Sequence, residues 1–382
     1  MEQPEILIIG GGPAGLTSAI HLSGLGRSVV LIEKTAYPHH KVCGEYVSNE
    51  ILPYLQEIGA DPSVLSAVKI TDLEFTFKSG KRINTVLPLG GFGISRYCFD
   101  QFLYQKALEH GCLVIRDQVT NVSWLNGNFV VQTIKDQVFY PKLVLGAFGK
   151  RSSMDIKLSR KFIQQKAQWL AVKGHYMGQH PDQVISLHQF SGGYCGVSKV
   201  EKDVINICYL TRYDLFKQYK NIKEHREQIL YSNPALKAVF MEVTPLFAEP
   251  LTISQVSFAR KEAVEEHMLM IGDTAGLIHP LCGNGMAMAI HAAKIASELC
   301  CRFLKGEIDR AAMEMLYSRQ WIDNFRQRIK TGRNIASLLQ MEKGLVLLTG
   351  ALSIFPRILP ILIKKTHGKP LKINSNAPQY PL

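Results

Sequence analysis

Two short stretches near the start of the chain are apolar almost without a break, "EILIIG" (5–10) and "SVVLIEK" (28–34). Runs of this kind fit strands buried on both faces of a sheet. Between them, "AGLTSAIHLSGLG" (14–26) spaces Leu16, Ala19, Ile20 and Leu22 along one helix face, and Gly26 follows the helix. From about Lys69 the pattern changes. "KITDLEFTFKSGKRINTVLP" (69–88) alternates about a Ser-Gly-Lys turn and predicts two antiparallel strands. "SRYCFDQFLYQKALEHG" (95–111) gathers Phe99, Phe102, Leu103 and Ala107 on one side of a helix. Strands are predicted in "LVIRDQVTNVSW", "NFVVQTI" and "QVFYPKLVLGAFG", and alternating segments return over 167–211. A helical patch (214–241), a buried strand in "HMLMIGDTAG" (267–276) and a long helix from Gly285 to Gly306 follow.

The layout predicts an α/β chain, α+β overall. A discontinuous Rossmann-like nucleotide domain (1–68, 96–160 and 256–305) is interrupted by a mostly antiparallel β-sheet substrate domain (69–95 and 161–255). C-terminal helices and a basic tail (306–382) complete it. The opening segment is strand, glycine turn, helix and strand within about thirty residues, the dinucleotide-binding βαβ unit. Gly10 permits the tight turn, Gly12 lets a pyrophosphate approach the backbone, and Gly15 lets the helix pack closely on the strand. The helix start presents unpaired N–H groups to phosphate. Glu33 ends the second strand, where a carboxylate can accept ribose hydroxyls.

Composition narrows the class only a little. The chain has 382 residues, 46% apolar and 20% charged, enough for a substantial core. Its eight cysteines form no CxxC and no zinc spacing, so reduced thiols in a cytoplasmic protein and no metal are expected. No secretion signal precedes the first strand. Net charge is +12, and the residues from Lys343 onward hold six Lys/Arg and no Asp or Glu. No basic stripe interleaved with aromatics appears, which argues against nucleic acid.

Four further stretches carry chemistry: "KVCGEYVS" (41–48), "GISRYCFDQFL" (93–103), "LVLGAFGKRS" (143–152) and "MIGDTAGLIHPLCGNGMAMAIHAA" (270–293). With them, the sequence resembles FAD-dependent oxidoreductases of the aromatic-hydroxylase (p-hydroxybenzoate hydroxylase-like) fold. It is most similar to their geranylgeranyl reductase and flavin-dependent halogenase branch, over residues 1 to about 305. The resemblance implies that Gly10, Gly12, Pro13, Ala14 and Gly15 hold the FAD pyrophosphate, with Glu33 and Lys34 at the adenosine ribose. It places Lys41, Val42, Cys43 and Gly44 along the cofactor. Arg96, in an R-x-x-x-D-x-x-L pattern with Asp100 and Leu103, contacts the flavin side. Ala147 and Gly149 flank the cofactor. Gly272 and Asp273 hold the ribityl or pyrophosphate portion, and Pro280, Gly283, Asn284, Gly285 and Met286 run beneath the isoalloxazine. A second helix start there favours the negative charge of a reduced flavin.

There are departures from the family pattern. Phe148 stands where an aspartate associated with FAD and pyridine nucleotide is usual, which leaves NAD(P)H open as the electron donor. Ala275-Gly276 replaces a usual histidine, and the W-x-W-x-I-P stretch of tryptophan halogenases is absent. Cys43, Glu45, Tyr194 and His279 are the catalytic candidates, the first three as proton donors. The expected chemistry is hydride delivery from reduced FAD to a carbon–carbon double bond of a hydrophobic isoprenoid or polyene. The alternatives are a hydroxylase- or halogenase-like monooxygenase acting on an aromatic or carrier-bound substrate, and a non-catalytic FAD-binding protein. Finally, "GLVLLTGALSIFPRILPILIKK" (344–365) is apolar but broken by Pro356, Arg357 and Pro360. It reads either as a helix covering the substrate domain or as an interfacial segment whose Lys364, Lys365, Lys369 and Lys372 meet anionic lipid. The oligomeric state is left open.

Overall fold

The computed structural model describes residues 3–165, 168–341, 344 and 358–372. Among them the first sheet has six strands, ordered 264–265, 268–270, 143–146, 6–9, 29–33 and 113–116. All its pairs are parallel except the terminal 264–265 hairpin. Every residue of 6–9, 29–33 and 143–146 is buried, which is why these segments lack polar alternation. The strand 6–9 has 29–33 on one side and 143–146 on the other, so a crevice opens at its C-terminal end. Open α/β sheets place their ligands at such a switch point. Helices α1 (Pro13–Gly24), α2 (Arg96–Glu109) and α3 (Gly285–Leu304) belong to this layer, and α1 packs against both others.

The second sheet has nine strands among the described residues. It is antiparallel except where 184–190 runs parallel to 68–76, and that pair unites its two sequence segments. A short strand, Tyr46–Ser48, also pairs into it against Gly91–Gly93. These residues fall in the segment assigned above to the nucleotide domain. The extended chain after Glu45 hydrogen-bonds at the second sheet's edge, so the two layers are stitched together there. A third sheet of 119–125, 128–133 and 138–139 is a small meander.

Two helices close the described chain, α4 (Arg310–Gln340) and α5 (Ile358–Thr366). Helix α5 packs on α4 and on the strand 82–93, roofing the second sheet. Residues 345–357 of the apolar C-terminal stretch lie outside the described residues. No helix among the described residues is long and apolar enough to cross a membrane. The segment after α5 is anchored at Glu50, a fully buried carboxylate. Glu50 accepts from Arg328 Nη1 at 2.9 Å, Asn284 Nδ2 at 3.3 Å and the Gly368 N–H, and its backbone oxygen accepts from Leu371 N at 2.8 Å.

Candidate functional site

A cavity of about 840 Å³ starts at the glycine turn and runs between the two sheets to the underside of α5. At the turn, three glycines do three different things. Gly10 has φ +105°, a backbone conformation that disfavours a side chain. A Cβ on Gly15 would overlap the Gly10 carbonyl oxygen, so Gly15 serves helix–strand packing and does not line the cavity. Gly12 has φ −87° and ψ −174°, open to any residue. Its nearest neighbour for a Cβ would be Arg96 Nη2, at 3.7 Å. Neither conformation nor protein packing requires glycine at position 12, and the space in front of it suits a ligand that must touch the backbone.

That space meets the start of α1, where Gly12 is the N-cap and no side chain caps the helix. The first-turn N–H groups and the positive end of the helix dipole are therefore available to an anion. Arg96 borders the same turn. Its guanidinium is locked to buried Asp100 by two hydrogen bonds, Nε–Oδ1 at 2.7 Å and Nη2–Oδ2 at 2.6 Å. The structure sets this cation beside the glycine turn. Pro13 and Ala14 line the wall next to it.

Glu33, also on the cavity, accepts from Gly11 N at 2.7 Å and Thr35 N at 3.0 Å. Burial alone would raise its carboxyl. The Lys41 charge and these two N–H groups outweigh that and hold it below the ordinary carboxylate range. An ionised carboxylate with one backbone bond per oxygen keeps lone pairs for two hydroxyls. Lys34, Lys41, Val42, Cys43 and Gly44 follow along the cavity. A Cβ on Gly44 would meet nothing within 4 Å, and the same holds for Gly149, so here too backbone borders open space. Ala147, Phe148, Gly149, Gly272 and Asp273 form the facing wall.

At the far side of this stretch, Pro280, Gly283, Gly285 and Met286 line the cavity at the start of α3. Asn284 does not. Although it is the N-cap, its side chain is turned away to Glu50 and Arg328 and makes no capping bond. That diversion leaves a second uncapped helix start beside the cavity, so Asn284 shapes the site from behind rather than lining it.

The catalytic candidates separate. Tyr194 lines the cavity, and burial pushes its phenol well above the ordinary value, so it keeps its proton. Cys43 also lines it, with its sulfur 3.4 Å from Glu45 N. Glu45 borders the cavity but is fully committed: it accepts from Arg96 N at 2.7 Å, from His175 Nε2 at 2.7 Å and from Lys173 Nζ. Burial alone would raise its carboxyl, but the His175 hydrogen bond and the Lys173 charge prevail and hold it low. A carboxylate held ionised accepts protons' hydrogen bonds and donates none, so the proton-donor expectation for Glu45 does not fit this geometry. His279 does not line the cavity. Its ring sits among Trp169, Tyr194 and Phe258, and burial lowers it to about 3, so it is neutral at ordinary pH.

Several residues were missed in the sequence. Buried Lys173 also donates to the Lys41 carbonyl at 3.2 Å, fixing the 41–45 loop. Its signal was a lysine in the otherwise apolar "WLAV" strand. Lys261, drawn down to about 8 by burial, donates to the carbonyls of Lys150 and Asp273 at 2.8 Å each. Thr274 Oγ1 accepts from Gly149 N at 2.8 Å. These last two tie the 147–151 and 272–274 loops together, and nothing local in the sequence marks them.

Deeper in, the cavity becomes an apolar chamber. Leu73, Phe75, Leu87, Ile185 and Leu187 form its floor on the second sheet, and Leu359, Leu362 and Ile363 of α5 form its roof.

Comparison with known proteins agrees with this geometry. The chain is 22% identical to digeranylgeranylglycerophospholipid reductase of Methanococcus vannielii, over 89% of this chain and 87% of that one. It is 21% identical to menaquinone reductase of Mycobacterium tuberculosis, over 94% and 86%. It is 23% identical to tryptophan 2-halogenase of Chondromyces crocatus over 84% of this chain, and spans 65% of that longer protein. Among solved structures, the flavin-dependent brominase Bmp2 superposes with a TM-score of 0.79 at 19% identity, covering 96% of this chain and 93% of that one. The FAD binding domain family matches residues 3–319. The chain belongs to that family and is an FAD-dependent oxidoreductase.

Proposed function

We propose that this oxidoreductase reduces carbon–carbon double bonds of a hydrophobic, isoprenoid- or polyene-type substrate. The observation that carries the reading is the apolar chamber. It opens from the cofactor stretch of the cavity, and its named floor and roof side chains are all hydrocarbon. The whole cavity, cofactor stretch and chamber together, measures about 840 Å³. When bound, FAD supplies a hydride. The chain holds and orients: the α1 start and Arg96 take the pyrophosphate, Glu33 the adenosine ribose, Asp273 the ribityl hydroxyls, and the α3 start the charge of the reduced ring. Tyr194, neutral and on the cavity, supplies the proton to the second carbon, and the Cys43, Cys208 and Cys282 side chains line the same cavity. The relatives named as digeranylgeranylglycerophospholipid reductase and menaquinone reductase support the same substrate class.

A second reading, an FAD-dependent monooxygenase or halogenase, draws on the likeness to tryptophan 2-halogenase and Bmp2. Oxygen decides between them. Holoprotein chemically reduced under argon and given a polyprenyl lipid should yield the saturated product. Product that forms only after oxygen is admitted would refute the reductase reading and support the second.

A further inference from the structure

Helix α5 has two unlike faces. Leu359, Leu362, Ile363 and Thr366 point into the cavity. Lys364 and Lys365 are exposed on its other side together with Ile361, which is 53% exposed. Lys369 and Lys372 follow and are exposed as well. The neighbouring end of α4 adds exposed Arg326, Lys330 and Arg333, and no Asp or Glu occurs between Asn324 and Met341 or between Ile358 and Lys372. Some exposed bases elsewhere pair with nearby acids, as in Arg82–Glu74, Arg302–Glu307 and Arg319–Asp323. Among the described residues, none of the bases on this outer face has a carboxylate partner.

Among the described residues no carboxylate pairs with this positive charge, and its α5 part covers the outside of a roof one helix thick. A helix with its side chains is about 10 Å across, so the basic surface and the apolar chamber are separated by a single layer. An anionic surface would satisfy the lysines. A bilayer would also accept Ile361 and would present a substrate too apolar for water on the side roofed by α5. An acidic protein or a nucleic acid would meet only the charge.

We propose that this face docks on an anionic phospholipid bilayer and that substrate passes from the bilayer into the chamber beneath α5. The second half rests on the substrate class proposed above; the docking does not. The test is sedimentation of FAD-loaded protein with phosphatidylcholine vesicles, with and without phosphatidylglycerol. Binding is expected to require phosphatidylglycerol and to fall as salt is raised. A membrane-proximal lysine changes binding by roughly fivefold, so K364Q/K365Q/K369Q/K372Q should weaken it on the order of 10²–10³-fold. FAD content and turnover of detergent-dispersed substrate should stay as in the wild type. Failure of the folded, FAD-loaded protein to bind, equal binding to pure phosphatidylcholine, or wild-type binding by the quadruple variant would overturn the proposal. So would salt-sensitive binding to heparin without binding to vesicles, which would mark the face as a site for a soluble polyanion. Vesicle binding is read without turnover, so failure of the reductase reading leaves it standing, and its own failure leaves that reading intact.

Discussion

Gly12→Val separates cofactor binding from folding. The extended backbone at this position accepts any residue, and a Cβ would lie 3.7 Å from Arg96 Nη2, an ordinary contact. Valine is a poorer N-cap than glycine by roughly 1 kcal/mol. Restricting the unfolded chain offsets about 0.4–1 kcal/mol of that. The cofactor-free fold should therefore change by less than about 1 kcal/mol. The pyrophosphate meets a different situation, because the valine methyls fill the space through which it would reach the uncapped N–H groups. Two lost charge-assisted hydrogen bonds at about 1.5–3 kcal/mol each amount to roughly 10²–10⁴-fold in Kd. The assay is quenching of flavin fluorescence as apoprotein is titrated into FAD, beside a circular-dichroism melt. Gly15→Ala should show the opposite signature. Its Cβ would overlap the Gly10 carbonyl oxygen and stand 3.2 Å from Ala147 Cβ, so the fold itself should lose about 1–3 kcal/mol. Wild-type FAD affinity in Gly12→Val, or a melt depressed as far as in Gly15→Ala, would refute the reasoning.

The other expected outcomes test the remaining walls of the site. Glu45→Gln leaves Lys173 buried beside a neutral amide and should cost about 3–5 kcal/mol in denaturant melts. The folded Glu45 carboxyl lies below its unfolded value of 4.5, so its contribution is complete above that pH and is lost as pH falls through the lowered value. Melts of the variant should lack that part of the acid limb. Asp273→Ala should weaken FAD binding more than Asp61→Ala, since Asp273 lines the cavity and Asp61 caps a short turn remote from it; equal dissociation constants would remove Asp273 from the site. His279→Phe should leave the shape of the pH–activity profile near neutrality unchanged, because a ring lowered to about 3 does not titrate there. Leu187→Trp fills the chamber floor and should reduce turnover of a polyprenyl substrate at least roughly tenfold with FAD content intact. Undiminished turnover would move the substrate elsewhere.

What was legible in the sequence follows physical range. The buried strands, α1 and the glycine turn announce themselves because each is specified by neighbours in sequence: an apolar run, a helical period, a residue without a Cβ. Gly272, Gly283 and Gly285 were legible for the same reason. Side-chain direction was not. Asn284 sits in the right turn, yet its amide faces Glu50, 234 residues away in sequence. Glu45 likewise reads as a free acid until Lys173 and His175 arrive from a strand of the other sheet, 128 and 130 residues on. The parallel pairing of 184–190 with 68–76 has no local signature either, since parallel neighbours are chosen by the packing of whole layers.

Glu50 joins two places that would otherwise be independent. The same carboxylate holds Gly368, just behind the roof helix, and the side chain of Asn284, at the helix start that borders the cavity. A displacement of the roof that disturbs Glu50 changes the support of that helix start, so the two ends of the site share a thermodynamic cycle. Whatever factor an open roof imposes on cofactor affinity, a bound cofactor must impose in return on the opening of the roof. The flavin's occupancy and the accessibility of the chamber are then two readings of one coupling free energy.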